Sequence, residues 1–279
     1  MDEIVKLNPR ALNYKLHRLL SKSRTCAKLC ARLRNQANCV VAYHLGESFD
    51  SATNGEYRLI DLLAPYCSAF VDVGANVGHW TEYLLRKSSA KGILFEPSEH
   101  CAALLKEKFK DKPITLRRVA VGDRNGSISF VEEGEFGESS AVAETYLPSE
   151  RPGDAVVKQV PMVTLDEELK AGDFNIDVLK IDAEGYDLKV LKGAESFLRK
   201  GRIRFVQFEY NSNWLGSGSS LKEAKSFLEG LGFELLLIRS TGLHPLNYEL
   251  WGDYFRYSNF FAYRPEDRSL VQPLVRSQL

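Results

Sequence analysis

The sequence predicts an α/β protein: a doubly wound, Rossmann-like sheet, mostly parallel with an antiparallel last strand, preceded by a helical extension at the N-terminus. Three observations predict it. From residue 56 onward, short β-branched and aromatic runs alternate with segments of helical period over roughly 200 residues, the pattern of a parallel sheet covered by helices on both faces. The first strand runs into a glycine turn, Asp72-Val73-Gly74-Ala75-Asn76-Val77-Gly78. Two later strands run into acids, Asp182 and Glu209, which places carboxylates over the crevice outside the carboxyl ends of the strands.

In chain order, residues 1–55 read as a basic helical extension. Leu12, Leu16, Leu19 and Leu20 recur on one helical face with basic residues between them, and Cys26, Cys30 and Leu33 continue the stripe. Nine lysines and arginines stand in residues 1–40 against only Asp2 and Glu3, a surplus of seven that the rest of a chain of net charge +0 balances. Three readings compete for this segment: a helical cap packed on the main domain, a contact with a second copy or another partner, and a helix lying on an anionic membrane surface.

The main domain, 56–264, opens with a helix at 56–65. A strand at 69–73 leads through the glycine turn to a helix at 80–87; a strand at 92–95 leads to a helix at 101–109 and a strand at 114–121. Residues 127–131 alternate as a half-exposed strand does, and 134–152, rich in Gly, Ser, Glu and Pro, read as a loop. Strands at 156–163, 177–181, 203–208 and 233–238 are separated by helices at 165–169, 188–199 and 221–231. A last strand at 257–263 precedes a polar tail, 265–279.

Composition narrows the class. With 44% hydrophobic and 27% charged residues, the chain reads as an ordinary globular enzyme rather than a disordered or membrane-spanning one. No apolar run approaches the roughly 18 residues of a spanning helix. The five cysteines form no C-x-x-C pair and no Cys/His cluster, which reads as free thiols in a reducing compartment, so a cytoplasmic location is expected. The main domain is not basic, so nucleic acid is not an expected partner.

The glycine turn is where chemistry enters. Glycines after a strand let a ligand approach the backbone, and the N–H groups of the following helix attract a carboxylate or phosphate. A nicotinamide dinucleotide site prefers G-x-G-x-x-G; here the pattern is D-x-G-x-x-x-G, and Asp72 would repel a pyrophosphate. The methionine part of S-adenosylmethionine carries an ammonium, a carboxylate and a sulfonium, and fits a turn offering an acid beside N–H groups. Glu96, 22 residues past Gly74 at the next strand end, is placed to accept both ribose hydroxyls. The candidate cofactor residues are therefore Asp72, Gly74, Ala75, Asn76, Gly78 and Glu96, with Val121 at the third strand end bordering the adenine.

The run Asp177-Val178-Leu179-Lys180-Ile181-Asp182-Ala183-Glu184-Gly185-Tyr186 supplies the second half: a buried strand, two acids, a glycine and a helix. Asp182 and Glu184 are the candidate catalytic groups, placed to take or orient a substrate proton, with a helix-capping role as the structural alternative. Tyr210 and Asn211 at the neighbouring strand end, and Ser139 and Ser140 in the long loop, are candidate substrate contacts. Asp182, Glu209 and Asn211 together also offer oxygen ligands for a divalent cation, but substrate hydrogen bonding is the simpler account, and no metal is assigned.

At these residues the sequence resembles the FkbM family of methyltransferases. The matching segments are FVDVGANVGHWT at 70–81, FEP at 95–97, VAVGD at 119–123, VTLD at 163–166, DVLKIDAEGY at 177–186, VLKGA at 190–194 and FEYN at 208–211. They occur in the family's order over roughly residues 56–263; residues 1–55 and the tail lie outside. The resemblance implies a class I methyltransferase sheet, S-adenosylmethionine as methyl donor, Asp72, Gly74 and Glu96 as cofactor contacts, and a hydroxyl acceptor on a sugar, polyketide or other small molecule. Ala183 departs from the family pattern, where a β-branched residue is commoner, and leaves both acids in place. Two alternatives remain: a non-catalytic S-adenosylmethionine-binding module acting through its basic N-terminus, and a nicotinamide-dependent oxidoreductase.

Overall fold

Strands β1 (Ala69–Val73), β2 (Lys91–Phe95) and β3 (Ile114–Arg117) carry the β-branched and aromatic runs, and they pair in parallel. The computed structural model describes residues 9–132, 140–146, 156–170, 172 and 175–279. It divides into two units, 1–44 and 45–279. The first contains helices Pro9–Leu20 and Arg24–His44.

The second unit is built on an eight-stranded sheet. After β3 the chain forms β4 (Ala120–Val121), β5 (Gly126–Glu132), β6 (Ala141–Val142) and β7 (Val156–Val163), then returns with β8 (Ile176–Ile181), β9 (Ile203–Tyr210), β10 (Glu234–Arg239), β11 (Gly242–Pro245) and β12 (Ser258–Tyr263). The main sheet runs β11-β10-β12-β9-β8-β1-β2-β3. The pairs β3-β2, β2-β1, β1-β8 and β8-β9 are parallel, while β12 lies antiparallel between β9 and β10, so the expected antiparallel last strand is present. The chain winds outward from β1 in one direction and then from β8 in the other. The carboxyl ends of β1 and β8 therefore form the switch point where an open α/β sheet holds its ligand.

Several elements differ from expectation. The single strand expected at 114–121 is broken: β3 stays in the main sheet, while β4 leaves it to pair with Met162 and Val163. A second sheet, β4-β7-β5-β6, results, with Ile128, Phe130, Val142, Val160 and Met162 as its own small core. The helix expected at 188–199 is two, Asp187–Gly193 and Glu195–Arg199. Asp166 restarts the second by accepting the Ser196 and Phe197 N–H groups at 2.8 and 3.0 Å. β11, a four-residue edge strand ending at a proline, is absent from the expected elements, because so short a run has no legible period.

Both expected domain boundaries move. Residues 45–55 belong with the main unit rather than the extension. The expected tail 265–279 is not a tail: Val271 is fully buried, Asp267 pairs with Arg204 at 3.0 and 3.1 Å, and the Arg276 N–H donates to the Leu243 carbonyl along the β11 edge at 2.8 Å. Its apolar residues Leu270, Leu274 and Val275 are spaced by polar ones, which hides their burial on the main core.

Candidate active site

The glycine turn folds as its residues require. Gly74 has φ +73°, and a Cβ there would lie 1.8 Å from the Asp182 carbonyl oxygen, so only glycine allows the ends of β1 and β8 to approach this closely. The Gly74 and Ala75 N–H groups donate to the Phe95 carbonyl at 2.9 and 3.2 Å, and the Asp182 N–H donates to the Val73 carbonyl at 2.9 Å. Gly78, at φ +80°, packs on Phe109 and Leu105 and precedes helix His79–Lys87.

Glu96 is tied to this turn. It is buried, and its two oxygens accept the Asn76 and Ser98 N–H groups, both at 2.8 Å. Burial pushes its pKa up to about 7 against the pull of those two bonds, with Asp72 and Asp182 adding to the rise. Each oxygen keeps acceptor capacity for one further donor, as two ribose hydroxyls require.

A pocket opens beside Glu96. Pro97, Val119, Ala120, Val121, Phe130 and Val142 give it an apolar wall fit for a purine, and Gly74, Asn76, Asp182 and Glu184 border its other side. Ser140 lines it too; Ser139 lies outside the described residues. Val121 reaches the pocket from the second sheet, a placement that the break after β3 makes possible.

A second pocket lies on the other side of the turn. Asp72, Lys180, Asp182, Glu56, Ser51, Phe49, His79, Trp80 and Tyr257 line it, together with the turn itself. Asp72, Lys180 and Gln207 stand in register across β1, β8 and β9, forming a polar row in an otherwise apolar sheet. Lys180 is buried and donates to Asp182 at 3.0 Å. Burial alone would lower its pKa, but Asp182, Asp72 and Glu56 outweigh burial and hold it protonated. Asp72 is buried, accepts the Thr81 hydroxyl at 2.6 Å on one oxygen, and has no partner on the other. Burial raises its pKa, opposed by Lys180 and Thr81. That orphaned carboxylate oxygen in a ligand crevice suits a bound ammonium group. Glu56 closes the row, accepting from Gln207 at 2.6 Å, Ser51 at 2.8 Å and Asn54 at 2.9 Å.

Asp182 is partly exposed, at the lip of both pockets. Glu184 lines the first pocket with φ +49°, inside a turn that Asp187 holds. The buried Asp187 carboxylate accepts the Gly185 N–H and the Glu209 N–H, both at 3.2 Å, and lies 3.5 Å from the Ala183 N–H. The helix Asp187–Gly193 has no side-chain cap at Tyr186; Asp187, its first residue, instead braces the turn before it and ties that turn to β9, and burial raises its pKa to about 7. Glu209 is also buried and its pKa is raised, by burial and then by Asp182 and Glu184.

Tyr210 and Asn211 do not stand where substrate contacts are expected. Tyr210 is fully buried on the opposite face of β9 from Gln207 and Glu209, against Trp214, Tyr254 and Phe255, and its hydroxyl accepts the Phe255 N–H at 2.9 Å. Asn211 caps the turn Ser212–Leu215 and donates to Glu209 at 2.6 Å. Neither lines either pocket. Among the described residues, no group of three or more His, Cys, Asp or Glu stands close enough to hold a metal ion, and no helix is long and apolar enough to cross a membrane.

The model of the methyltransferase FkbM domain matches residues 72–235, more than half of the chain, and spans the turn, Glu96, Asp182 and β9. The chain belongs to the FkbM methyltransferase family. Its methyl donor is S-adenosylmethionine, which sets the oxidoreductase alternative aside. The chain is also similar to the methyltransferase sdnD of Sordaria araneosa, 26% identical over 204 residues, 59% of this chain and 73% of that protein. Among solved structures, an rRNA methylase from Streptococcus thermophilus is similar over 78% of this chain and 99% of its own, with 13% identity and a TM-score of 0.40. The N-methyltransferase NodS of Bradyrhizobium japonicum, with S-adenosyl-L-homocysteine, is similar over 75% and 86%, with 8% identity and a TM-score of 0.40.

The Glu96 environment gives a pH dependence of donor affinity. With a folded pKa near 7, the carboxylate is ionised at pH 8 and largely protonated at pH 6. Ribose hydroxyls bond best to an ionised acceptor, so if Glu96 receives them calorimetry is expected to give S-adenosylmethionine binding up to roughly tenfold weaker at pH 6 than at pH 8. Glu96→Gln removes that dependence. The stability effect has the opposite sense: the raised pKa makes this carboxyl's contribution complete below its ordinary value and loses it as the pH rises through about 7.

Proposed function

We propose that this chain methylates a hydroxyl oxygen on a sugar, polyketide or other small molecule. The observation that carries the proposal is Asp182. Among the described residues, only Asp182, Gly74 and Asn76 border both pockets, and Asp182 alone of these brings an ionisable group. When bound, S-adenosylmethionine supplies an electrophilic methyl group on a sulfonium. The first pocket would hold the adenine on its apolar wall with Val121 and Pro97 and the ribose on Glu96, and the turn and Asp72 would hold the amino-acid end. The second pocket, beside its Asp72 end, would receive the acceptor, and Asp182 would orient its hydroxyl and take the proton. Lys180 holds the Asp182 carboxylate in one orientation. Most of the acceleration comes from alignment, for which effective molarities of about 10⁵–10⁸ M set the scale.

The walls of the second pocket support a small hydroxylated acceptor. Phe49 and Tyr257 pack with ring centroids 4.5 Å apart, an apolar platform beside the polar groups Ser51, Glu56 and Asp182. Glu56, Asp72 and Asp182 outnumber Lys180, which disfavours a phosphate backbone. The sequence after β8, Asp-Ala-Glu-Gly, also lacks the Asn/Asp-Pro-Pro-aromatic pattern of adenine N-methylases.

The test is mass spectrometry and carbon-13 NMR of cell extract incubated with the protein and S-adenosylmethionine carrying a carbon-13 methyl group. The expected result is a labelled small molecule whose methyl carbon resonates as a methoxy group. Label on nitrogen, or on nucleic acid, overturns the oxygen assignment.

A further inference from the structure

We infer that helices Pro9–Leu20 and Arg24–His44 form a docking surface for an anionic lipid membrane, beyond the methyl-transfer reading. Two independent features of this unit point there. The first is charge. Between Glu3 and Glu47 the sequence holds nine lysines and arginines and no acid. The second is an uncovered apolar face. Leu16, Leu19, Leu29, Leu33 and Val40 are all exposed, Leu33 at 61% and Val40 at 68%.

The two features segregate around the helix axis. In Arg24–His44, Arg24, Lys28, Arg32 and Asn35 share one face at steps of four, four and three, while Cys26, Leu29, Leu33, Ala37 and Val40 share the other. In the described part of Pro9–Leu20, Leu16, Leu19 and Leu20 are flanked by Lys15 and Arg18. A helix with leucines on one side and basic residues on the other lies in the plane of a membrane interface, its apolar face among the acyl chains and its cations among the headgroups. The helix has 21 residues, but four lysines and arginines interrupt it, so it lies on the surface rather than crossing.

Other occupants satisfy only one feature. A second copy would cover the leucines but set two acid-free basic surfaces against each other, with no counter-charge on either. A nucleic acid would neutralise the cations and leave the leucines in water. An anionic bilayer answers both.

The experiment is sedimentation of the full-length protein with vesicles of phosphatidylcholine alone and of phosphatidylcholine mixed with phosphatidylserine. Binding is expected only to the anionic vesicles and is weakened by salt. Lys28→Glu with Arg32→Glu, two exposed changes on the polar face, weakens it by roughly tenfold or more. Leu29→Ser with Leu33→Ser weakens it without altering the charge. Circular dichroism and S-adenosylmethionine affinity stay unchanged in both double variants, which separates this inference from the methyltransferase reading. No binding to anionic vesicles overturns it. Binding that neither pair of substitutions reduces overturns it as well. So does a stable dimer in light scattering that fails to bind vesicles, or a preference for an oligonucleotide over the vesicles.

Discussion

Asp182→Asn lowers turnover by about 10²–10⁴-fold while S-adenosylmethionine affinity changes little. Asparagine keeps the shape of the side chain, and the backbone bond from residue 182 to the Val73 carbonyl is untouched. What is lost is the negative charge proposed to accept the hydroxyl proton. The loss also removes one counter-charge from buried Lys180, which Asp72 and Glu56 still face. Breaking a fully buried ion pair costs about 3–5 kcal/mol, but this one has a partly exposed partner and two neighbouring acids, so the cost falls below that range. Thermal unfolding of the variant, measured beside single-turnover rate and donor calorimetry, separates the effects. A fall in donor affinity equal to the fall in rate would make Asp182 a donor-positioning group. Unchanged turnover would remove it from the chemistry.

The parts of this site legible in the sequence share one property: each lies at the end of a long apolar strand. Asp72, Glu96 and Asp182 follow runs whose burial the composition already announces, so their placement over the crevice follows from topology. Glu56, Lys180 and Gln207 do not have that property. Glu56 looks like the acidic first turn of an ordinary helix, and Lys180 looks like an interruption in a strand. They become a unit only through the register that sets Asp72 beside Lys180 and Lys180 beside Gln207. Register across parallel strands depends on packing far along the chain, which a local reading does not contain. Parity explains Tyr210. In β9, Gln207 and Glu209 share one face and Phe208 and Tyr210 the other, so pairing Tyr210 with Asn211 as substrate contacts ignores the alternation of a strand. The second sheet is hidden for a related reason: residues 114–121 read as one continuous strand, and only the pairing of Ala120 and Val121 with β7 shows where the chain leaves the main sheet.

Gly74→Ala is the substitution expected to disable the site with the fewest atoms added. Two costs combine at this position. The backbone has φ +73°, where a Cβ costs roughly 1–2 kcal/mol. The added carbon would also lie 1.8 Å from the Asp182 carbonyl oxygen, a backbone atom that no rotamer can move aside. Relief requires the ends of β1 and β8 to separate, straining the bond between the Asp182 N–H and the Val73 carbonyl and shifting the turn off the Phe95 carbonyl. Overpacking of this kind costs about 1–3 kcal/mol. The displacement also moves Asp182 relative to both pockets. S-adenosylmethionine affinity is expected to fall by roughly 100-fold, about 2.7 kcal/mol, with a lower unfolding temperature. Gly230→Ala is the matched control: it lies in a helix, nothing stands within 4 Å of the place its Cβ would take, and alanine favours the helix. Its affinity and unfolding temperature are expected to equal or exceed those of the parent. If Gly74→Ala binds the donor as tightly as Gly230→Ala does, the close approach of β1 and β8 is not what builds the donor pocket, and the turn serves only to reverse the chain.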